Sequence, residues 1–191
     1  MVKTKINITD TNLISKIVKN YLNSKELDNF YSFKNDIENY ENLINIRSSF
    51  SNEKRLLLHK VILEQYKNIS SIDSISKSID SLKNQNTFTI TTGHQLSLNT
   101  GPAYFLYKIL HCIKISTELK KRYPKYNFVP VFWMASEDHD FDEIKSFQTK
   151  NKKYEISSND DNFCTGRIKP LNLSKIISEL EDNFQNKPFK D

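Results

Sequence analysis

The chain has 191 residues, 28 basic against 23 acidic side chains (net charge +5), 37% hydrophobic and 12% aromatic residues, three glycines and two cysteines. That length and apolar content support a single hydrophobic core without disulfide or metal staples, and exclude a wholly disordered chain. No apolar run approaches the roughly 18 residues of a membrane span, and Met1-Val2-Lys3-Thr4-Lys5 lacks the apolar stretch of a secretory signal. Cys112 and Cys164 stand far apart, as free thiols in a reducing compartment do. A cytoplasmic protein with no membrane partner is expected. The pI near 9.0 would admit nucleic acid, but only Arg47, Arg55, Arg122 and Arg167 are arginines, and they do not cluster. Arginine is the side chain favoured for bidentate phosphate and base contacts, so the lysines read as solvated surface and no nucleic-acid partner is expected.

Residues 1–85 read as a helical region. Leu13, Ile14, Ile17, Val18, Tyr21 and Leu22 recur at helical spacing, with Thr9, Asp10 or Thr11 as cap. Shorter apolar clusters follow at Leu27-Phe30-Tyr31-Phe33 and Ile37-Tyr40-Leu43-Ile44. From Asn52, Leu57, Leu58, Val61, Ile62, Gln65 and Tyr66 form one helical stripe, with His59 on the surface. A further helix has Ser70 or Ser71 as cap and Ile75, Ile79 and Leu82 facing inward.

Residues 86–191 change character. Thr87 to Thr92 is a β-branched and aromatic strand ended by Gly93. A long helix then opens at Thr100-Gly101-Pro102, with Thr100 as N-cap and Pro102 in the first turn. Leu106, Ile109, Leu110 and Ile113 give its buried face, and Pro124 stops it. Phe128 to Ala135 is a continuous apolar run, as expected of a parallel strand covered on both faces. Strand, helix and strand within this length predict a right-handed βαβ unit, hence an α/β fold. Phe147 to Ile156 predicts a hairpin around Lys150-Asn151-Lys152, and Ile176, Ile177, Leu180 and Phe184 an amphipathic closing helix.

Ligands of open α/β sheets bind beyond the carboxyl ends of the strands, and two unusual segments fall there. In Thr91-Thr92-Gly93-His94-Gln95 and Thr100-Gly101-Pro102, the glycine allows a tight strand exit and the helix start can hold an anion. His94 either steadies a phosphate or acts as acid/base, unless it is merely exposed beside a turn. Neither a Walker A loop nor a G-x-G-x-x-G fingerprint is present. The second segment, Glu137-Asp138-His139-Asp140-Phe141-Asp142-Glu143, packs five carboxylates and an imidazole into seven residues. Such crowding calls for a cation, a substrate ammonium or hydrogen-bond donors. In an extended backbone Asp138 and Asp140 would share one face, Glu137 and His139 the other. The bland alternative is a solvated loop in which Asp140 or Asp142 caps a short helix.

These segments also carry a resemblance. Thr92-Gly93-His94-Gln95, Thr100-Gly101-Pro102-Ala103-Tyr104 with Tyr107-Lys108-Ile109, and Pro130 to Ile144 are similar in order, spacing and composition to the BshC family of bacillithiol biosynthesis. Leu63-Glu64-Gln65-Tyr66 and Gly166-Arg167 resemble further family elements, whereas Ser97 and Asn99 depart from the expected apolar loop. The resemblance implies a Rossmann-like core related to nucleotidyl-transferase and class I synthetase domains. The implied activity is a ligase joining cysteine to glucosaminyl-malate, with ATP or another nucleotide and magnesium as the expected helpers. It places His94, Asp138, His139 and Asp140 in catalysis, and Thr92, Gly93, Gln95, Thr100, Gly101, Tyr104 and Glu137 in binding. It also implies that the rest of the sheet, and a coiled-coil region through which two copies would pair, follow Asp191, so that this chain alone would be inactive.

Overall fold

A computed structural model describes residues 4–69, 73–159 and 163–184. The chain divides into two compact units, Met1–Phe50 and Ser51–Asp191. The division expected near residue 85 therefore falls inside the second unit, and the two helices before it cluster with the α/β part.

In the first unit, α1 (Lys16–Asn23) and α2 (Tyr40–Arg47) are joined by short 3-10 turns. The α1 helix starts later than its apolar spacing predicts. Ser15, not Thr9, Asp10 or Thr11, accepts the capping bond from the Val18 N–H, because residues 8–10 form a 3-10 turn of their own. Tyr21 meets Tyr31 edge-on at 5.3 Å between ring centres, and Ile44 is buried.

The second unit begins with α3 (Asn52–Tyr66), capped by Ser51. Its predicted stripe is divided: Leu57, Leu58 and Val61 are exposed, while Ile62 and Tyr66 are half-buried on the face that also carries buried Arg55 and half-buried His59. The Arg55 guanidinium explains the division. Its Nη1 donates to the carbonyls of Thr87 (2.9 Å) and Leu82 (3.4 Å), and Nη2 to that of Gln85 (3.2 Å). A planar fork can serve several carbonyls at once, here those between the end of α4 (Asp73–Ser81) and the first residue of β1 (Thr87–His94). His59, expected on the surface, lies 3.0 Å from Asp80. Ile79 and Leu82 are buried as expected; the cap predicted at Ser70 or Ser71 lies outside the described residues.

The β1 strand, helix α5 (Ala103–Arg122) and strand β2 (Asn127–Met134) form the predicted βαβ unit. The strands run parallel, with Thr87 opposite Asn127 and His94 opposite Met134. Gly93 does not end β1 but lies within it, opposite Trp133. A Cβ there would sit 2.8 Å from the Trp133 carbonyl oxygen, so the glycine serves close strand packing rather than a turn.

Helix α5 is rotated from its expected facing. Of the expected face Ile109 is half-buried but Leu106, Leu110 and Ile113 are exposed, and Cys112, Ser116 and Leu119 are buried. Small polar side chains let the helix approach the strands closely and still satisfy their own donors. Cys112 Sγ lies 2.9 Å from the Ile90 carbonyl, and Ser116 Oγ bonds the Cys112 carbonyl one turn back. Burial pushes the Cys112 thiol pKa up. In β2, Phe128 and Val129 are buried but Pro130, Trp133 and Met134 are exposed. The run is therefore not covered on both faces along its whole length, and with β1 as its only strand partner among the described residues it also keeps one edge unpaired.

After β2 come the short α6 (Phe141–Ile144), the predicted hairpin of β3 (Ser146–Gln148) and β4 (Lys153–Glu155), and α7 (Leu173–Phe184). Phe147 stacks on Tyr154 across the hairpin at 5.1 Å. Ile176 is buried in α7, whereas Ile177, expected inward, is exposed.

Candidate functional site

The carboxyl ends of β1 and β2 lie side by side and deliver the two polar segments to one edge of the sheet. The Ala135 N–H extends the ladder by donating to the His94 carbonyl (3.0 Å). His94 and Gln95 each keep only 8% of their surface exposed. His94 Nδ1 lies 3.1 Å from the Gln95 carbonyl oxygen and 3.3 Å from Ser97 Oγ; its Nε2 lies 2.9 Å from the Tyr104 hydroxyl. Phe105 meets the imidazole edge-on at 5.4 Å. Thus His94 is neither exposed nor an isolated pocket wall, and Ser97, which departs from the expected loop composition, is one of its neighbours. The Lys108 ammonium donates to the Gly93 carbonyl.

Between Ser97 and α5 the backbone is strained. Asn99, Thr100 and Gly101 have φ of 46°, 64° and 62° in succession. A β-branched residue is a true outlier in this region, and such strain persists only where the surroundings over-determine it. At Gly101 a Cβ would also meet Ser97 Cβ at 2.7 Å. This geometry overturns the expected capping. Thr100 closes a 3-10 turn (Leu98–Thr100), Pro102 occupies the N-cap position, and no side chain caps α5. Pro102 has no side-chain oxygen to offer; its carbonyl accepts the Phe105 N–H (2.9 Å), and no side chain neutralises the positive end of the helix dipole.

The acidic segment is not extended. Asp138 accepts the Asp140 N–H (2.8 Å), and Asp140 caps α6 by accepting the Glu143 N–H (3.1 Å). The two carboxylates that an extended strand would place on one face are instead spent on successive backbone donors, as the bland reading of the loop anticipates for Asp140. The Asp140 N–H holds the Asp138 carboxyl below its usual range; burial opposes it, and Gln95 and His139 add smaller downward effects. Glu137 is exposed and accepts the Trp133 indole N–H at 3.1 Å; His139 is exposed. Asp142 pairs with Lys145 at 2.6 Å. Among the described residues no group of three or more His, Cys, Asp or Glu side chains could hold a metal ion.

A 3-10 turn at Thr165–Arg167 locks this loop from outside. The Thr165 N–H donates to the Asp138 carbonyl (2.6 Å), and the Gly166 N–H to that of Ser136 (2.9 Å). At Gly166 a Cβ would lie 2.6 Å from Ser136 Cβ, so glycine is required for the contact. Beneath both loops is a cavity of about 370 Å³, lined by Gln95, Leu98, Phe105, Phe132, Phe141 and Thr165 among others.

A model of the "Bacillithiol biosynthesis BshC, N-terminal Rossmann-like domain" matches residues 1–191. The chain belongs to the BshC family. It is 46% identical over 165 residues to a Flavobacterium johnsoniae protein and 49% identical over 142 residues to one from Flavobacterium psychrophilum. The alignments cover 85% and 73% of this chain. A Cytophaga hutchinsonii protein is 36% identical over 179 residues, or 93% of the chain. All three carry the name "Putative cysteine ligase BshC". The chain spans about a third of the length of these curated relatives, the share being 31%, 27% and 34%.

Within this BshC domain, the residues singled out in sequence fall into two sets. His94 and Tyr104 form a series that reaches Glu143 across the sheet edge, with the Gln95 carbonyl behind His94. Thr92 and Gly93 belong to β1 itself, and Thr100 and Gly101 shape the approach to α5. Glu143 and Thr165 were not singled out as site residues in the sequence. The first is submerged in its charge run, and the second is brought in by chain more than twenty residues downstream of Asp138. No helix of the described residues is long and apolar enough to cross a membrane.

Proposed function

We propose that this domain takes part in a ligase reaction of bacillithiol biosynthesis, in which an amide links cysteine to the amino group of glucosaminyl-malate. The observation that carries this reading is the meeting of Tyr104 and Glu143 (3.5 Å) at the edge where the Ala135 N–H bonds the His94 carbonyl. It brings a helix start suited to anions and a loop suited to ammonium groups to one edge of the sheet. Glu137, Asp138, His139 and Asp140 would receive the amino groups, Asp138 being held anionic chiefly by the Asp140 N–H. Thr92, Gly93, Thr100, Gly101 and Tyr104 border the uncapped start of α5, which favours phosphate or carboxylate. A nucleotide such as ATP fits that start, and when bound it would supply activation of the carboxyl group. The partners are small molecules; pairing of two copies is part of the same proposal and would come from chain beyond this domain.

The test is mass-spectrometric detection of bacillithiol formed by the full-length protein from glucosaminyl-malate, cysteine and ATP. Asp138→Asn is expected to lower turnover by about 10²-fold, the scale of one lost charge contact in a water-poor site. No product, or equal rates for wild type and variant, would overturn the reading. Thermal stabilisation by ATP but never by glucosaminyl-malate would instead support a phosphate-binding module with other ligase or transferase chemistry.

A further inference from the structure

We infer that Tyr104, not His94, is the group that meets the reacting amine, and that His94 is the proton acceptor behind it. The inference rests on the ligase reading and deepens it by assigning the proton path. Three observations place the groups in series. His94 is 8% exposed and enclosed by Gln95, Ser97, Tyr104 and Phe105, so it has little surface left for a substrate. Tyr104, on the first turn of α5, is 48% exposed. Its hydroxyl lies 2.9 Å from His94 Nε2 and 3.5 Å from Glu143 Oε1.

The carbonyl of Gln95 fixes the tautomer. A carbonyl oxygen only accepts, so His94 Nδ1, 3.1 Å away, carries the hydrogen. Neutral imidazole then has its lone pair on Nε2, aimed at the Tyr104 O–H. The charged groups around this pair are the Glu143 carboxylate, presented by α6, and the Lys108 ammonium, which is engaged by the Gly93 carbonyl. When an attacking amine forms its bond to the activated carboxyl carbon, the bond from that carbon to the activating phosphate oxygen breaks, the phosphate leaving with the electron pair, and the amine's N–H proton passes to the Tyr104 oxygen. The Tyr104 proton passes at the same time to His94 Nε2. Tyr104 ends unchanged, His94 ends as imidazolium, and the amide nitrogen ends neutral. In that state His94 donates from both nitrogens, and the Tyr104 hydroxyl can turn its hydrogen to Glu143. Glu143 is thus a positioning residue that favours the proton-loaded form.

The experiment has two arms. In ¹⁵N-histidine-labelled protein, long-range ¹H–¹⁵N correlation spectra read the His94 tautomer directly, with His94→Gln identifying the signal. The Nδ1–H form is expected, with an Nε2 resonance that moves in Tyr104→Phe as the hydroxyl donor is lost. An Nε2–H tautomer, or an Nε2 signal indifferent to Tyr104→Phe, overturns the relay. In the full-length protein, Tyr104→Phe is expected to cut kcat by about 10²-fold with KM changed by no more than about threefold, the range for a lost proton-transfer group. Wild-type kcat in that variant overturns the relay too. A wild-type protein without ligase turnover would overturn the ligase reading instead, while the spectra still decide the hydrogen-bonded series.

Discussion

Strands β1 and β2 are parallel neighbours of equal length, yet they end in opposite ways. β1 is held at both ends by buried polar groups: Thr87 beneath the Arg55 fork at its start, His94 and Gln95 at its finish. β2 runs out through exposed Trp133 and Met134 into a loop whose carboxylates face solvent or cap backbone N–H groups. Burial costs a polar group its water and must be repaid by fixed partners. The His94 end of β1, with both imidazole nitrogens engaged, is therefore suited to holding a proton in one geometry. The β2 end, hydrated and anionic, is suited to receiving a charged molecule from outside.

The sharpest way to break that contrast is at the start of β1. Arg55→Ala leaves the carbonyls of Leu82, Gln85 and Thr87 without their shared donor. The expected loss is about 3 kcal/mol of unfolding free energy, the scale of removing a buried charged hydrogen-bond partner, read from urea denaturation. A loss close to zero would mean that β1 is not anchored by its polar ends.

The β2 end depends on a different support, and Gly166→Ala tests it. The new Cβ would fall 2.6 Å from Ser136 Cβ and 2.9 Å from its carbonyl oxygen. Overpacking of this kind costs about 1–3 kcal/mol. Hydrogen exchange should show the Thr165 and Gly166 amides losing protection while those of β1 keep theirs. Equal loss in both places would show that the two ends are not independent.

The smallest effect concerns Asp138. Its folded carboxyl pKa is lowered from an ordinary value of 3.8. Its contribution to stability is thus fully present above that ordinary value and is lost as pH falls through the lower folded value. Asp138→Asn should lower neutral-pH stability slightly, leave stability at the acid end nearly unchanged and so flatten this acid limb, as measured by melting temperature between pH 2 and 7. An unaltered acid limb would mean that the Asp140 N–H does not discriminate between the two protonation states.

Much of the frame is legible in the sequence because periodicity and breakers act locally. The 3.6-residue spacing marks α3, α5 and α7. The β-branched run marks β1, the apolar run β2, and Pro124 and Lys150-Asn151-Lys152 the punctuation between elements. The acidic crowding after β2 likewise points to the right sheet edge. Facing is less legible. Helix α5 carries apolar side chains all round, so the stripe at Leu106, Leu110 and Ile113 could not be separated from the one that packs. What separates them is close approach to the strands, which favours Cys112 and Ser116. The same holds at α3, where a buried arginine outcompetes three leucine and valine side chains for the inward position because three carbonyls need it.

By itself, then, the sequence determined the order of helices and strands, the parallel βαβ unit and the family, since these follow from spacing, composition and motif order along one chain. Only the tertiary structure decided the burial of His94, its series with Tyr104 and Glu143, and the staple from Thr165–Gly166. These depend on groups about ten to forty residues apart meeting within hydrogen-bond distance. Local pattern does not encode such distances; the parallel register of β1 and β2 and the strained approach to α5 set them.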